Sequence, residues 1–221
     1  MTDAQDLSDR LLDAALPHVA FDGWSEACLR AAIAETEADP TQARAIFPRG
    51  AVDLAVAYHL RGDRAMVDRL AEADLQALRI RERVTFAIRT RLEVADRELV
   101  RRGMSLFALP IYAGDGAQLL WGSSDVIWTA LGDTSRDVSW YTKRATLSAV
   151  YSSVVLFWLG DDSPGSTNTW AFLDRRIDNV MKIEKVKASL RKAPVIGRVL
   201  EFGTKIKAPM RDTNIPGQNL R

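Results

Sequence analysis

Histidine, cysteine and serine are the side chains whose spacing most often betrays chemistry, and here the spacing offers little. Neither histidine, His18 or His59, follows a glutamate by three positions. The Glu-x-x-His spacing that brings di-iron ligands onto one face of a bundle helix is therefore missing. There is no Cys-x-x-Cys and no His-Glu-x-x-His, so no zinc site is readable. Cys28 is the single cysteine, on the apolar face of a short helix, with nothing beside it to lower its pKa. It reads as a buried structural thiol. Ser163, in Gly160-Asp161-Asp162-Ser163-Pro164-Gly165, follows no strand and lacks the second half of a nucleophile elbow. Gly114-Asp115-Gly116 lacks the third glycine of a nucleotide loop and reads as a turn. These residues predict no catalytic centre, no metal and no cofactor.

Composition points to a folded chain with a sizeable core: 221 residues, 47% hydrophobic and 27% charged. The net charge of +1 hides an asymmetry. Residues 1–40 hold nine acidic side chains to two basic ones, and residues 182–211 hold nine basic to two acidic. The two ends are expected to meet different partners. One cysteine forbids an internal disulfide and suits a reducing compartment. The acidic start does not resemble a signal peptide. The longest uncharged run, Ala145 to Leu159, is shorter than the roughly 20 residues a spanning helix needs. The expectation is a protein that is soluble or peripheral on a membrane.

Helical periodicity positions everything. Leu7, Leu11, Leu12, Ala15, Leu16 and Val19 make one stripe at spacings of three and four. Phe21-Asp22-Gly23-Trp24 ends that helix, and Ser25 is placed to cap a second running to about Glu37. A short helix, Thr41–Phe47, sits between two prolines; a longer one starts near Ala51, with Gly62 as a break. Ile80, Val84, Ala87, Ile88, Leu92, Ala95 and Leu99 form a further stripe whose arginines face solvent. Ala117, Leu120, Trp121, Ser124, Ile127, Trp128 and Leu131 form another, ended by Gly132. Trp140, Arg144, Leu147, Tyr151, Val154 and Trp158 lie along one line of a long helix. Ala145, Ser148, Ala149 and Ser152 give that helix a small-residue face, suited to a dimer seam or to packing within the chain. No alternating strand pattern is present. The predicted class is all-α, in three parts: residues 1–50, 51–187 and 188–221.

The first three helices, carried by Leu11-Leu12-Asp13-Ala14-Ala15-Leu16 and Phe21-Asp22-Gly23-Trp24, resemble the helix-turn-helix of the TetR type. In a repressor the third helix enters the major groove among phosphate-binding cations. Here it offers Arg44, with Arg49 after it, beside Glu35, Glu37 and Asp39. That surface should repel DNA, so the unit is expected to be structural, with no nucleic-acid partner. A ligand-responsive TetR-type regulator is the alternative reading.

Longer strings are more specific. Gly132-Asp133-Thr134-Ser135-Arg136-Asp137-Val138-Ser139-Trp140-Tyr141-Thr142-Lys143-Arg144-Ala145 resembles the signature of the ninth coenzyme Q (ubiquinone) biosynthesis protein family. Leu78 to Leu92, Phe47-Pro48-Arg49-Gly50 and Trp170 to Ile177 are similar to that family as well. The resemblance implies a TetR-like homodimer that is not an enzyme. It implies a larger helical domain holding an isoprenoid quinone precursor or a phospholipid, and a patch that docks the demethoxyubiquinone hydroxylase. The patch falls on Asp137, Trp140, Tyr141 and Arg144. Tyr141 is off the apolar stripe and suits an exposed role; Trp140 suits either the core or the surface. The lipid is expected against Leu106, Leu109, Leu120, Trp121, Ile127, Trp128, Tyr151, Phe157 and Trp158.

The segment after Pro194 is amphipathic at helical spacing, with Arg198, Glu201, Thr204 and Lys205 opposite an apolar arc. Val195, Val199, Leu200, Phe202 and Ile206, with Lys205, are the residues expected to meet a membrane surface.

Overall fold

The computed structural model describes residues 3–191, with side chains over residues 4–182. All regular structure among these residues is helical: α1 (Asp3–Asp22), α2 (Glu26–Glu35), α3 (Pro40–Ile46), α4 (Ala51–Glu72), α5 (Ile80–Glu93), α6 (Arg97–Phe107), α7 (Ala113–Ala130), α8 (Val138–Leu159), a 3-10 turn (Pro164–Ser166) and α9 (Thr167–Arg191). The membrane-facing residues expected beyond Pro194 lie outside the described residues. The chain divides into two units that alternate along the sequence. Among the described residues, one takes the chain to Ala65 together with Val94–Leu119, the other Met66–Glu93 together with the chain from Leu120 to Arg191.

In the first unit, the predicted stripe of α1 is the buried one: Leu11, Leu12, Ala15 and Val19 pack with Leu29 and Ala32 of α2, Ala43 of α3 and Leu99 of α6. Ser25 caps α2, its side chain accepting from the Cys28 N–H. Asp39 caps α3, and Pro40 sits in its first turn, where its missing N–H costs nothing. Cys28 is buried and its thiol donates to the Ala15 carbonyl at 3.3 Å. Burial pushes that thiol up to about 11, as suits a structural cysteine. Gly50 explains the Phe47-Pro48-Arg49-Gly50 string. Its φ is +66°, and a Cβ there would stand 1.8 Å from the Glu26 carboxylate, so no other residue fits without moving that side chain.

Two local expectations are corrected, at Gly62 and at Gly114–Gly116. Helix α4 runs unbroken through Gly62. The roughly 1 kcal/mol a mid-helix glycine costs is less than the stabilisation from burying Leu54 and Ala55 before it and Met66 and Leu70 after it. The new helix that the sequence starts near Glu98 is α6: Asp96 accepts from the N–H groups of Glu98 (2.8 Å) and Leu99 (3.0 Å) and begins it. Gly114 and Gly116 lie in the first turn of α7, not in a free turn; a Cβ on Gly116 would come within 3.0 Å of the Phe107 Cβ.

The second unit is built on α8. Leu147, Val150, Tyr151, Val154, Val155 and Trp158 are buried, with Val84 and Ile88 of α5, Ile127 of α7, and Leu173 and Ile177 of α9. The small residues of α8 divide between two roles. Ser148 lies against α7, its hydroxyl 2.9 Å from that of Ser124, whereas Ala145 and Ala149 are exposed. The polar turn after α8 is firmly made. Asp161 accepts from the Ser163 and Thr169 N–H groups, both at 2.9 Å, and from the Thr169 hydroxyl at 2.6 Å. The Thr169 and Ser163 bonds hold its carboxyl well below the usual carboxylate range.

Candidate functional site

Helix α8 carries two charged side chains in 22 residues, Lys143 and Arg144. Both need carboxylates, because an uncompensated cation inside a helical core is strongly disfavoured. Those acids come from α7 and from the loop between α7 and α8. Arg144 is 2% exposed. Its Nε donates to Asp125 at 2.6 Å, and its Nη1 to Asp133 at 3.1 Å and to the Trp140 carbonyl at 3.2 Å. The Lys143 ammonium donates to Asp133 and to the Ser135 hydroxyl, both at 2.7 Å. Ser135 donates in turn to Asp133 at 2.8 Å. Burial works against a charged Asp133, but the bonds from Lys143, Ser135 and Arg144 prevail and lower its pKa to about 2. Two cations thus meet two carboxylates, and the cluster is neutral as a whole.

Aromatic rings surround this cluster. The Arg144 guanidinium lies over the Trp140 ring, 4.1 Å from its centroid, and Tyr141 meets Trp140 edge-on at 4.8 Å. Trp121 is 5.9 Å from Trp140. The Trp128 indole donates to the Lys143 carbonyl at 3.1 Å, with the Lys143 ammonium 5.4 Å from its centroid. Asp137 caps α8 by accepting from the Ser139 N–H at 2.9 Å. The Ser139 hydroxyl and N–H hold its carboxyl below the usual range.

Beside the cluster is a cavity of about 510 Å³. Its apolar wall comes from Ile80 and Val84 of α5, Trp128 of α7, Leu131 just after it, Leu147 and Val150 of α8, and Ile177, Val180 and Met181 of α9. Its polar wall holds Asp133, Ser135 and Lys143 of the cluster, three threonines, and Arg81, which pairs with Asp178 at 2.8 Å. The size falls within the roughly 300–1,000 Å³ of small-molecule pockets, and an apolar wall with a few convergent polar groups is their usual make-up.

Of the residues expected to line a lipid site, Trp128 alone faces this cavity. Ile127, Tyr151 and Trp158 are core residues, and Phe157 stacks on Phe172 with centroids 4.4 Å apart. Leu120 and Trp121 are half-buried elsewhere in α7. Leu106 and Leu109 belong to the first unit, where Leu106 packs on the core and Leu109 is 48% exposed. Of the expected docking patch, Asp137 is exposed and Trp140 and Tyr141 are half-buried. Arg144 is corrected: it is buried and already paired, so it cannot offer itself to an acid on a partner. Lys143 and Asp133 are the residues that sequence reasoning misses. The readable signal is an adjacent pair of cations in an otherwise uncharged long helix, which demands acids nearby.

In the first unit, the arginines near α3 are tied to carboxylates. Arg44 pairs with Glu26, and Arg49 with Asp53 and Asp115, both at 2.8 Å. Among the described residues, no group of three or more histidine, cysteine or acidic side chains is placed to hold a metal ion. No helix among them is long and apolar enough to cross a membrane.

The helical order and packing define a TetR-like all-α protein with a cavity in its second unit. The "TetR transcriptional regulator from Nitrosomonas europaea" has this fold, with a TM-score of 0.63 over 78% of this chain and 97% of that one, at 20% identity. Residues 113–184, which include the whole of α7 and α8, match the COQ9 family. The "Probable ubiquinone biosynthesis protein coq9, mitochondrial" of Dictyostelium discoideum is 30% identical over 190 residues, 82% of this chain and 62% of that protein. The "Ubiquinone biosynthesis protein COQ9, mitochondrial" of Drosophila melanogaster is 30% identical over 79% of this chain and 55% of its own length. The Homo sapiens protein of the same name is 28% identical over 81% and 59%. Over about four fifths of its length the chain is similar to these COQ9 proteins, and it spans about three fifths of the length of these curated relatives.

Proposed function

We propose that this protein serves ubiquinone biosynthesis as a non-catalytic carrier, holding an isoprenoid quinone precursor in the cavity of its second unit and presenting it to the demethoxyubiquinone hydroxylase. The observation that carries the reading is the cavity itself, lined by nine apolar side chains and seven polar ones. That is the arrangement an amphiphile with a compact head needs. Burial of the tail against those walls contributes at about 25 cal/mol per Å² of apolar surface. At about 510 Å³ the cavity suits a ring with its first isoprenoid units, and the rest of a long tail would extend beyond it.

The hydroxylase would dock on Asp137, Trp140 and Tyr141, and the amphipathic segment with Val195, Val199, Leu200, Phe202, Lys205 and Ile206 would keep the protein peripheral on the membrane that stores the substrate. A homodimer, with the exposed Ala145 and Ala149 at its seam, belongs to the same proposal. A phospholipid is the other occupant that the cavity's chemistry admits. The TetR-type fold raises the regulator reading, but the carboxylates that hold Arg44 and Arg49 weigh against phosphate binding there.

Native mass spectrometry of the purified protein, with the released lipid identified, tests the proposal. A quinone-type lipid is expected, together with its loss from a Val150→Trp variant that fills the cavity. Protein that carries no lipid and takes up no added decylubiquinone would overturn it.

A further inference from the structure

The cavity and the Trp140–Tyr141 surface are neighbours with a shared structural member. The loop between α7 and α8 supplies Asp133 and Ser135 to the cavity wall, and four residues after Asp133 it supplies Asp137, the cap of the helix that carries Trp140. Arg144 ties the two together. Its guanidinium is held on one side by Asp133, a wall residue, and lies on the other over the Trp140 ring. Trp140 itself does not line the cavity.

We propose that Arg144 is the positioning residue of the Trp140–Tyr141 surface and that it passes cavity occupancy to that surface. A polar head that hydrogen-bonds Lys143 or Ser135 competes for donors that now serve Asp133. Asp133 then leans more heavily on Arg144, a side-chain donor that does not line the cavity. The guanidinium moves toward the loop, and the ring stacked on it follows, with Tyr141 against its edge. The filled protein therefore presents a different aromatic surface from the empty one. By linkage, a partner that prefers the filled form binds ligand-loaded protein more tightly, and the ligand's affinity rises by the same factor.

This inference rests on the cavity being a ligand site, and the experiment separates the two. The full chain is labelled with 5-fluorotryptophan and titrated with decylubiquinone, observed by fluorine NMR. Single Trp→Phe variants assign the resonances of Trp128, Trp140 and Trp24. Trp128 lies in the cavity wall and reports binding; Trp24, in the first unit's core, is the control. The expected result is that Trp128 and Trp140 shift together, saturating at the same quinone concentration, while Trp24 stays put. In Arg144→Lys, which changes no residue of the cavity wall, the Trp128 shift should remain and most of the Trp140 shift should vanish. A Trp128 shift with a motionless Trp140 overturns this inference and leaves the carrier reading standing. An undiminished Trp140 shift in Arg144→Lys also overturns it, since the signal would not pass through the guanidinium. No shift at Trp128 removes both. Should Arg144→Lys fail to fold, the wild-type titration alone still decides whether Trp140 responds.

Discussion

Arg44 and Arg144 are each clasped by carboxylates, one in each unit, and the same chemistry does different work in the two places. The Arg44 side chain is 48% exposed and its partner Glu26 46%, so water competes with every bond they make. The Arg144 side chain is 2% exposed; Asp133 is 5% and Asp125 22% exposed. Water cannot replace a lost partner there. The first pair neutralises a surface; the second holds a loop, a helix and an aromatic ring in one arrangement.

The comparison is broken most severely by reversing the buried charge. Arg144→Glu places a third carboxylate between Asp125 and Asp133. Breaking a buried pair typically costs about 3–5 kcal/mol, and charge reversal should reach the top of that range. The expected outcome is a second unit that no longer folds cooperatively, seen as a large drop in the urea midpoint. A pull-down that lost the hydroxylase with this variant would then say nothing about docking. Tyr141→Ala, which leaves the cluster alone, is the variant suited to that question. A midpoint within a few tenths molar of wild type would show that burial is not what distinguishes the two arginines.

A second test uses pH. Asp133 has a pKa of about 2 in the folded protein against an ordinary value of 3.8. The folded state therefore binds its proton less readily than the unfolded chain. The stability Asp133 contributes is full above about pH 4 and is lost as pH falls from there through about 2. Wild type should lose its stability advantage over Asp133→Asn across that window, measured by urea titration from pH 6 down to 2.5. A constant gap between the two proteins would mean that Asp133 is not held by its three donors.

How much is legible in the sequence differs between the two pairs. The apolar stripes of α1 and α8, the cap Ser25 and the all-helical class follow from local spacing, and local spacing is what a sequence displays directly. The continuity at Gly62 depends on how much each flank buries, which is a tertiary quantity. The position of the cavity escapes the sequence for a related reason. Large apolar side chains such as Tyr151 and Trp158 read as its lining, but they fill space well and form core. The wall is made of Val84, Leu147 and Val150, which do not fully meet across the helices. Arg144 lies on the apolar stripe of its helix, and that position is the sign of its burial.

A smaller effect is expected at Gly50, behind the Arg44 pair. Gly50→Ala requires a left-handed backbone with a Cβ that collides with the Glu26 carboxylate. The strain is on the order of 1–2 kcal/mol. The loss should exceed that of removing Arg44 itself, because the backbone there has no way to relax into solvent. Thermal melts of the two variants side by side decide the order.

The smallest effect is at Arg44. Arg44→Ala should cost no more than about 1 kcal/mol, the range of exposed pairs, because Glu26 regains water when its partner leaves. Its role is read better through DNA than through stability. Wild type and Arg44→Ala should both fail to shift DNA specifically in a low-salt gel assay, since the cations nearest α3 are already occupied. Glu26→Gln frees Arg44 without adding a cation. Non-specific affinity should then rise slightly, with a salt dependence steeper by roughly 0.9 in log–log slope for one additional phosphate neutralised. A specific, salt-sensitive shift by wild type at nanomolar protein would mean that Glu26 yields Arg44 to phosphate. The surface pair would then be a latch on a DNA-binding face, and the acidic first unit would have to be read as a regulator's.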